Sequence, residues 1–444
     1  MAGAESADRA RQGGGRLTLR DEVVGLLQEL IRLDTVNPPG NETQAAELLR
    51  DYLAGSGVES ELYAKVPHRA NLVARIPGAG GGPRLCLLSH TDTVLADPAE
   101  WRRDPWSGEL VDGEVWGRGA LDMKGQVAAA AVAVASLARE GFRPAGDLIF
   151  VAAADEEVGD DFGLQWLVRA HPDAVRCEYA LNEGSGERVE LGGRVLYLCA
   201  PAEKMTAPFV LRVRGRSGHG SMPGTADNAL LKAAPLIERL SAYRPERRHG
   251  PETEAFFRVL TGEVPPAEEA VEAARAIHPL AGDLLEPLLQ LTFAPTMISA
   301  SRKRNVIPAV CEVTVDCRLL PGQTPADAEA AVHAALGEGD WEFELISAQG
   351  GTRSPLDSPL WDAVESFVAE SEPGALLAPV CCAGFTDSHW LREAFGTVAY
   401  GFFPARMDVE LMGRLIHSAD ERALVDDLEL GVDFFRHAAR AVLS

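Results

Sequence analysis

His90-Thr91-Asp92, Asp155-Glu156-Glu157, Glu183 and His417 are residues whose types can hold a divalent ion. Imidazole nitrogens and carboxylate oxygens are the zinc ligands of choice where thiolates are absent. Asp122 adds a carboxylate at the end of Gly117-Arg118-Gly119-Ala120-Leu121-Asp122. Each of these has an ordinary explanation alone. A single histidine is more often a satisfied polar group than a ligand, a Glu-Glu pair is usually solvated surface, and Asp122 would serve as a helix N-cap. Their joint placement is harder to reduce. His90 follows an apolar strand over 84–89, Asp155 to Glu157 follow a strand over 147–154, and Glu183 follows a short strand over 178–182. In an open α/β sheet, ligands gather outside the carboxyl ends of the strands. Residues far apart in sequence should therefore meet at one end of one sheet, with His417 joining them from a loop before the last helix.

The elements that must position them follow from hydrophobic period and breakers. Helices are expected over 19–33 and 42–54, separated by Asn37-Pro38-Pro39-Gly40, then over 124–139 (alanine-rich), 162–170 and 422–443. Strands alternating with helices argue for an α/β fold with a doubly wound, mostly parallel sheet. Near residue 204 the pattern changes to strand 209–214, helix 228–240, strands 296–301 and 312–319, helix 325–336 and strand 341–346. That βαββαβ order is a ferredoxin-like unit. An insert at about 245–289, rich in Glu, Ala and Pro, reads as helical and exposed. The expected division is a disordered tail at 1–16, a catalytic domain from 17–203 and 350–444, and a lid domain at 204–349 that interrupts it. Gly78 to Pro83 lacks the Lys-Ser/Thr of a phosphate loop and the dinucleotide spacing, so it is a turn.

Composition narrows the classes. A chain of 444 residues exceeds one ordinary core, and 46% hydrophobic with 24% charged residues describes a globular protein. With 42 basic against 66 acidic residues the net charge is −24, which repels phosphate backbones and anionic lipid. No nucleic acid and no membrane partner is expected. The first sixteen residues lack an apolar core of the signal-peptide kind. Seven cysteines, with Cys381 and Cys382 adjacent and no Cys-x-x-Cys pair, fit a reducing cytoplasm better than a disulfide framework.

Taken together, Ser89 to Asp92, Gly117 to Gly125, Asp155 to Glu157, Asn182-Glu183-Gly184 and Gly218-His219-Gly220-Ser221 resemble the motifs of the di-zinc aminoacylase/carboxypeptidase metallopeptidases. Asn305 to Pro308, Asp316-Cys317-Arg318 and His417 extend the resemblance across nearly the whole chain from about residue 20. The resemblance implies hydrolysis of an amide bond in a small substrate bearing a carboxylate, such as an N-acyl amino acid or a dipeptide. It implies two Zn2+ per chain, with Co2+ or Mn2+ as substitutes. Asp122 would bridge them, His90 and Glu183 would complete one, and Glu157 and His417 the other. Glu156 would be the general base for a metal-bridged hydroxide, and Asp92 would orient His90.

His219 would donate to the oxyanion of the partner subunit in a homodimer formed through the lid; read by itself, it is a turn histidine. Asn305 and Arg318 would hold the substrate carboxylate, although Arg318 could equally pair with Asp316 two residues earlier. Gly384 and Thr386 resemble the loop lining the substrate's far end. Asn182 departs from the acid that many such proteins carry there. The insert and Thr386-Asp387-Ser388 point toward the carboxypeptidase S and N-acyl-amino-acid hydrolase branch. Desuccinylation or deacetylation of a biosynthetic intermediate is the alternative chemistry. A catalytically inactive binding protein is a third reading, opposed by the presence of every ligand and the base.

Overall fold

The computed structural model describes residues 17–159 and 161–444; the tail expected at 1–16 lies outside them. Two compact units emerge. Among the described residues, one comprises 17–82 with 89–159, 161–167 and 405–444, the other 83–88 with 168–404.

In the first unit, Thr18 starts the helix Leu19–Ile31 by a capping box with Asp21, satisfying amides the helix cannot. The helix Lys124–Arg139 is buried through Leu137. Its alanines and valines let it pack closely against Leu19–Ile31 and the final helix Val425–Leu443. The last helix begins later than its apolar pattern suggested. Arg422–Leu424 instead forms a strand antiparallel to Glu114–Trp116. Arg422 fixes that choice by donating to Glu114 and lying 4.6 Å from the Trp116 ring centre. Glu59–Ala64, Ala70–Ile76 and Leu148–Ala153 pair antiparallel in that order. Leu148–Ala153 is buried throughout, as a strand covered on both faces must be.

The second unit carries the parallel pairings. Leu85–Leu87 of the strand Leu85–His90 runs parallel to Tyr179–Leu181, and Tyr179–Asn182 runs parallel to Val398–Gly401. Leu376–Cys382 runs parallel to Arg194–Glu203. Arg188–Leu191 closes a hairpin on Arg194–Glu203 through Gly192 and Gly193, both at positive φ, the geometry that a tight two-residue turn requires. The α/β class holds, with parallel pairings in this unit and antiparallel pairs in both.

The ferredoxin-like unit is present as expected. Its strands run Trp341–Leu345, Phe209–Arg214, Val310–Leu319 and Thr292–Ser299 across the sheet, all antiparallel. Alternation along Phe209–Arg214 and Val310–Leu319 buries one face. Phe209, Leu211, Val313 and Val315 there pack with Ala233, Ala328 and Val332 of the helices Ala229–Ala242 and Pro325–Leu336. The insert is helical, as Pro251–Thr261, Ala270–Ile277 and Pro279–Leu285, but it is not simply exposed. Phe256, Phe257 and Leu260 are buried, and their helix packs on Leu376–Cys382. Burial of each such side chain contributes ~1.5–3 kcal/mol, which holds the insert down.

Candidate active site

His90 ends its strand with the side chain 1% exposed. Its Nδ1 donates to the carbonyl of Asp92 at 3.1 Å, with the Asp92 carboxylate 3.4 Å away. That bond places a proton on Nδ1 and turns Nε2 toward Asp122 Oδ1, at 3.2 Å. The Asp92 carboxylate has a further task that its spacing did not reveal. It accepts the backbone N–H of Glu156 at 3.2 Å, that of Glu157 at 3.1 Å, and Asn37 Nδ2 at 2.9 Å. Burial alone would push its pKa up, but the hydrogen bonds from His90, Asn37 and the Glu157 amide outweigh it and hold the carboxyl below its ordinary value.

Asp155 shapes the turn that follows. Its φ of 67° swings the chain out of Leu148–Ala153, a conformation in which Asp is several-fold enriched. The side chain pins the turn by accepting from Asn37 Nδ2, Arg69 Nη2 and the amide of Phe162 at 2.9–3.0 Å. Arg69 also donates to Glu42 at 2.7 Å. Asn37, Glu42 and Arg69 thus support the acidic turn from positions that sequence motifs did not single out.

Asp122 lies at the centre. Its Oδ2 is 2.9 Å from His417 Nε2, which is 3.4 Å from Glu157 Oε2. Ligand atoms of Asp122, Glu157 and His417 all fall within 4.8 Å of one another. Burial raises the Asp122 pKa, but His417 and His90 outweigh it and hold the carboxyl well below the carboxylate range. Hydrogen bonds that His417 donates to Asp122 and Glu157 push its pKa up to about 10. Glu157 Oε1 is buried with no hydrogen-bond partner among the described residues. Such an oxygen costs about 1–3 kcal/mol unless a cation meets it. The donor set, imidazole and carboxylate only, fits a divalent ion of the zinc type.

The residue most clearly missed in the sequence is Glu421. Fully buried, it accepts the backbone N–H groups of Gly119, Leu121 and Asp122 at 2.9, 2.7 and 3.0 Å, and Arg118 Nη1 at 2.5 Å. Arg118 in turn donates to the carbonyl of Ser418. One carboxylate therefore fastens the loop of Asp122 to the loop of His417. Its signal was only a Glu four residues after a ligand histidine, which spacing alone does not separate from surface charge.

In the second unit, Glu183 follows Tyr179–Asn182, the strand parallel to Leu85–Leu87. His219 is exposed on a two-residue strand paired with Val306–Ile307. The amide of Ser221 donates to its Nδ1 at 3.2 Å. A backbone amide can only donate, so the neutral ring carries its proton on Nε2. Asn305 accepts the amide of Gly220 through its carbonyl and leaves its side chain at the surface. Arg318 makes the ion pair that its spacing allowed, with Nε and Nη2 on Asp316 at 2.9 and 3.2 Å. A Cβ at Gly384 would stand 3.8 Å from Cys382 Sγ, an ordinary contact, so a side chain there would not clash. Thr386 is buried, and its hydroxyl donates to Glu203 at 2.8 Å.

An α/β sheet whose strand ends carry nitrogen and oxygen donors, in a chain that also folds a ferredoxin-like unit, is the build of a metal-dependent hydrolase. Comparison with known proteins gives the family. The chain belongs to peptidase family M20/M25/M40, whose model matches residues 86–441, and it is a hydrolase of amide or peptide bonds. It is 30% identical over 425 residues to a succinyl-diaminopimelate desuccinylase of Cereibacter sphaeroides, covering 91% of this chain and 95% of that one. It is 28% identical over 362 residues to an N-fatty-acyl-amino acid synthase/hydrolase of Xenopus tropicalis, covering 79% and 70%. The fold matches an M20 family metallo-carboxypeptidase of Sulfolobus solfataricus with a TM-score of 0.74 at 18% identity, over 95% and 99% of the two chains.

Proposed function

We propose that this protein hydrolyses the amide bond of a small carboxylate-bearing substrate, an N-acyl amino acid or a dipeptide, with two zinc ions held around Asp122. The observation that carries the reading is the buried Glu157 oxygen without a hydrogen-bond partner among the described residues, set among Asp122 and His417. Glu157 and His417 would hold one ion, His90 and Glu183 the other, with Asp122 shared. Bound there, two divalent ions supply Lewis acidity to the scissile carbonyl and acidify water.

The chain's own residues do the rest. Glu156, its backbone fixed by Asp92, takes a proton from the attacking water and delivers it to the leaving nitrogen. His219 offers Nε2–H to the developing oxyanion of a partner subunit. Arg318 has Nε and Nη2 on Asp316, which leaves Nη1 to meet the substrate carboxylate alongside Asn305. Gly384 provides room at the far end of the substrate.

The ferredoxin-like segment, 204–349, serves as lid and dimerisation domain in this reading. Its edge strand Thr292–Ser299 exposes Met297 and Ile298, and its helix Ala229–Ala242 exposes Leu230 and Leu231. An uncovered edge strand with apolar side chains favours pairing with a second copy. A cytoplasmic setting is supported by seven free cysteines, and among the described residues no helix is long and apolar enough to cross a membrane.

A second reading, removal of a succinyl or acetyl group from a biosynthetic intermediate, is favoured by the 30% identical desuccinylase. Turnover of N-acyl amino acids, dipeptides and N-succinyl diamino acids by zinc- or cobalt-loaded protein separates the two. The first reading expects N-acyl amino acids or dipeptides to lead. A tenfold or larger preference for N-succinyl substrates replaces it with the second.

A further inference from the structure

Glu203 ends the strand Arg194–Glu203 and is 1% exposed. A buried carboxylate needs partners, and this one has three. Oε2 accepts the Thr386 hydroxyl at 2.8 Å, while Oε1 accepts the Thr352 hydroxyl at 2.8 Å and lies 3.4 Å from Arg392 Nη1. Arg392 is itself anchored by Ser354 Oγ at 3.0 Å and the carbonyl of Ala399 at 2.7 Å. The reaction proposed above uses none of Glu203, Thr352 and Arg392.

What Glu203 joins is informative. Met205–Thr206 pairs antiparallel with Gln349–Gly350, so the chain enters and leaves the ferredoxin-like sheet as one ribbon. Thr352 lies just beyond that ribbon, and its carbonyl accepts the Glu203 amide at 3.2 Å. On the other side, Thr386 Oγ1 accepts the amide of Ser388 at 3.3 Å, and Ser388 Oγ accepts Asn182 Nδ2 at 3.2 Å. Asn182 directly precedes Glu183. The Thr386 methyl group also borders Gly184, 3.6 Å from where a Cβ would stand. Both threonine hydroxyls donate to one carboxylate, so each fixes the other's anchor.

We infer that Glu203 is a positioning residue that couples the seat of the lid ribbon to the substrate-end loop at 383–386. The inference rests on the reading of that loop as substrate-facing. A shift of the ribbon withdraws Thr352, loosens Glu203, and frees Thr386, so grip on the substrate weakens while proton transfer at Glu156 is untouched.

Thr352→Val tests this, because among the described residues Thr352 bonds to Glu203 and Arg392, neither of them in the loop. We expect backbone amide exchange at 383–386 to quicken about fivefold. KM should rise about tenfold with kcat within twofold, a loss of ~1.4 kcal/mol in binding. Thr352→Ser should restore both. Glu203→Gln should show the same signature; if it does not fold, the Thr352 pair decides. Parental exchange and parental KM in Thr352→Val would overturn the coupling. Should the unsubstituted protein turn over no substrate of the panel, the functional reading falls, and the exchange rates at 383–386 alone decide the coupling.

Discussion

Around Asp122 the structure leaves little to move. Three backbone amides of its loop are held by Glu421, the Glu156 and Glu157 amides are held by Asp92, and His90 is shut inside the fold. Around His219 the reverse holds. The ring is exposed and, among the described residues, bonded only to neighbouring Ser221, and Arg318 is engaged by its own strand neighbour Asp316. The first region is preorganised by its own contacts. The second has satisfied its groups locally, so its role depends on what arrives from outside, a substrate or a second copy. Preorganised donors are what catalysis rewards, whereas exposed ones await a complement.

Variants probe the contrast, and the largest effects belong to the preorganised region. Glu156→Ala should lower kcat by about 10³–10⁴-fold with both ions retained, since only the proton relay is lost. Glu157→Ala should lose an ion as well. Retention of metal and activity by both variants, read by elemental analysis and turnover, would mean that this acidic pair is wrongly assigned.

His219→Ala should lose about 10²–10³-fold as one oxyanion donor goes. Co-expressed with Glu156→Ala, it should regain roughly a quarter of parental activity if it acts across a dimer. Half of randomly paired dimers are then mixed, each with one whole site of two. Activity at the single-variant floor, with mixed dimers confirmed by mass, places His219 in its own chain's site or in none.

Glu421→Gln should weaken metal affinity about 10–100-fold, the usual consequence of losing a group that orients ligands. Unchanged affinity in an isotherm would reduce Glu421 to a merely structural residue.

The smallest effect is protonic. His417 keeps its proton to about pH 10 between Asp122 and Glu157, while a bound ion needs the neutral ring. Ion uptake by demetallated protein at pH 8 should therefore release about one proton from His417. Apparent affinity should climb as pH rises from 7 toward 10, then level off. Calorimetry in two buffers of different ionisation enthalpy reads the proton directly; identical heats would contradict the assignment.

Much of the first region was legible in the sequence because strand ends and donor types are local signals. The helix Lys124–Arg139 and the strand Leu148–Ala153 announce themselves by period and apolar run. The supporting shell was not legible. Glu421, Arg69 and Asn37 act through backbone amides and carboxylates tens to hundreds of residues away, and nothing in their own neighbourhoods marks them. Edge strands such as Glu59–Ala64 were also unread, because charged, half-exposed alternation resembles loop sequence. The insert's buried face escaped for a related reason. Its partner strand, Leu376–Cys382, lies more than a hundred residues downstream of Phe257.

That two ions share Asp122 is tested by counting them. Protein stripped with a chelator and titrated with zinc should take up two ions per chain, and Asp122→Ala should lose high-affinity uptake of both. Saturation at a single ion, or two ions bound undiminished by Asp122→Ala, would contradict it.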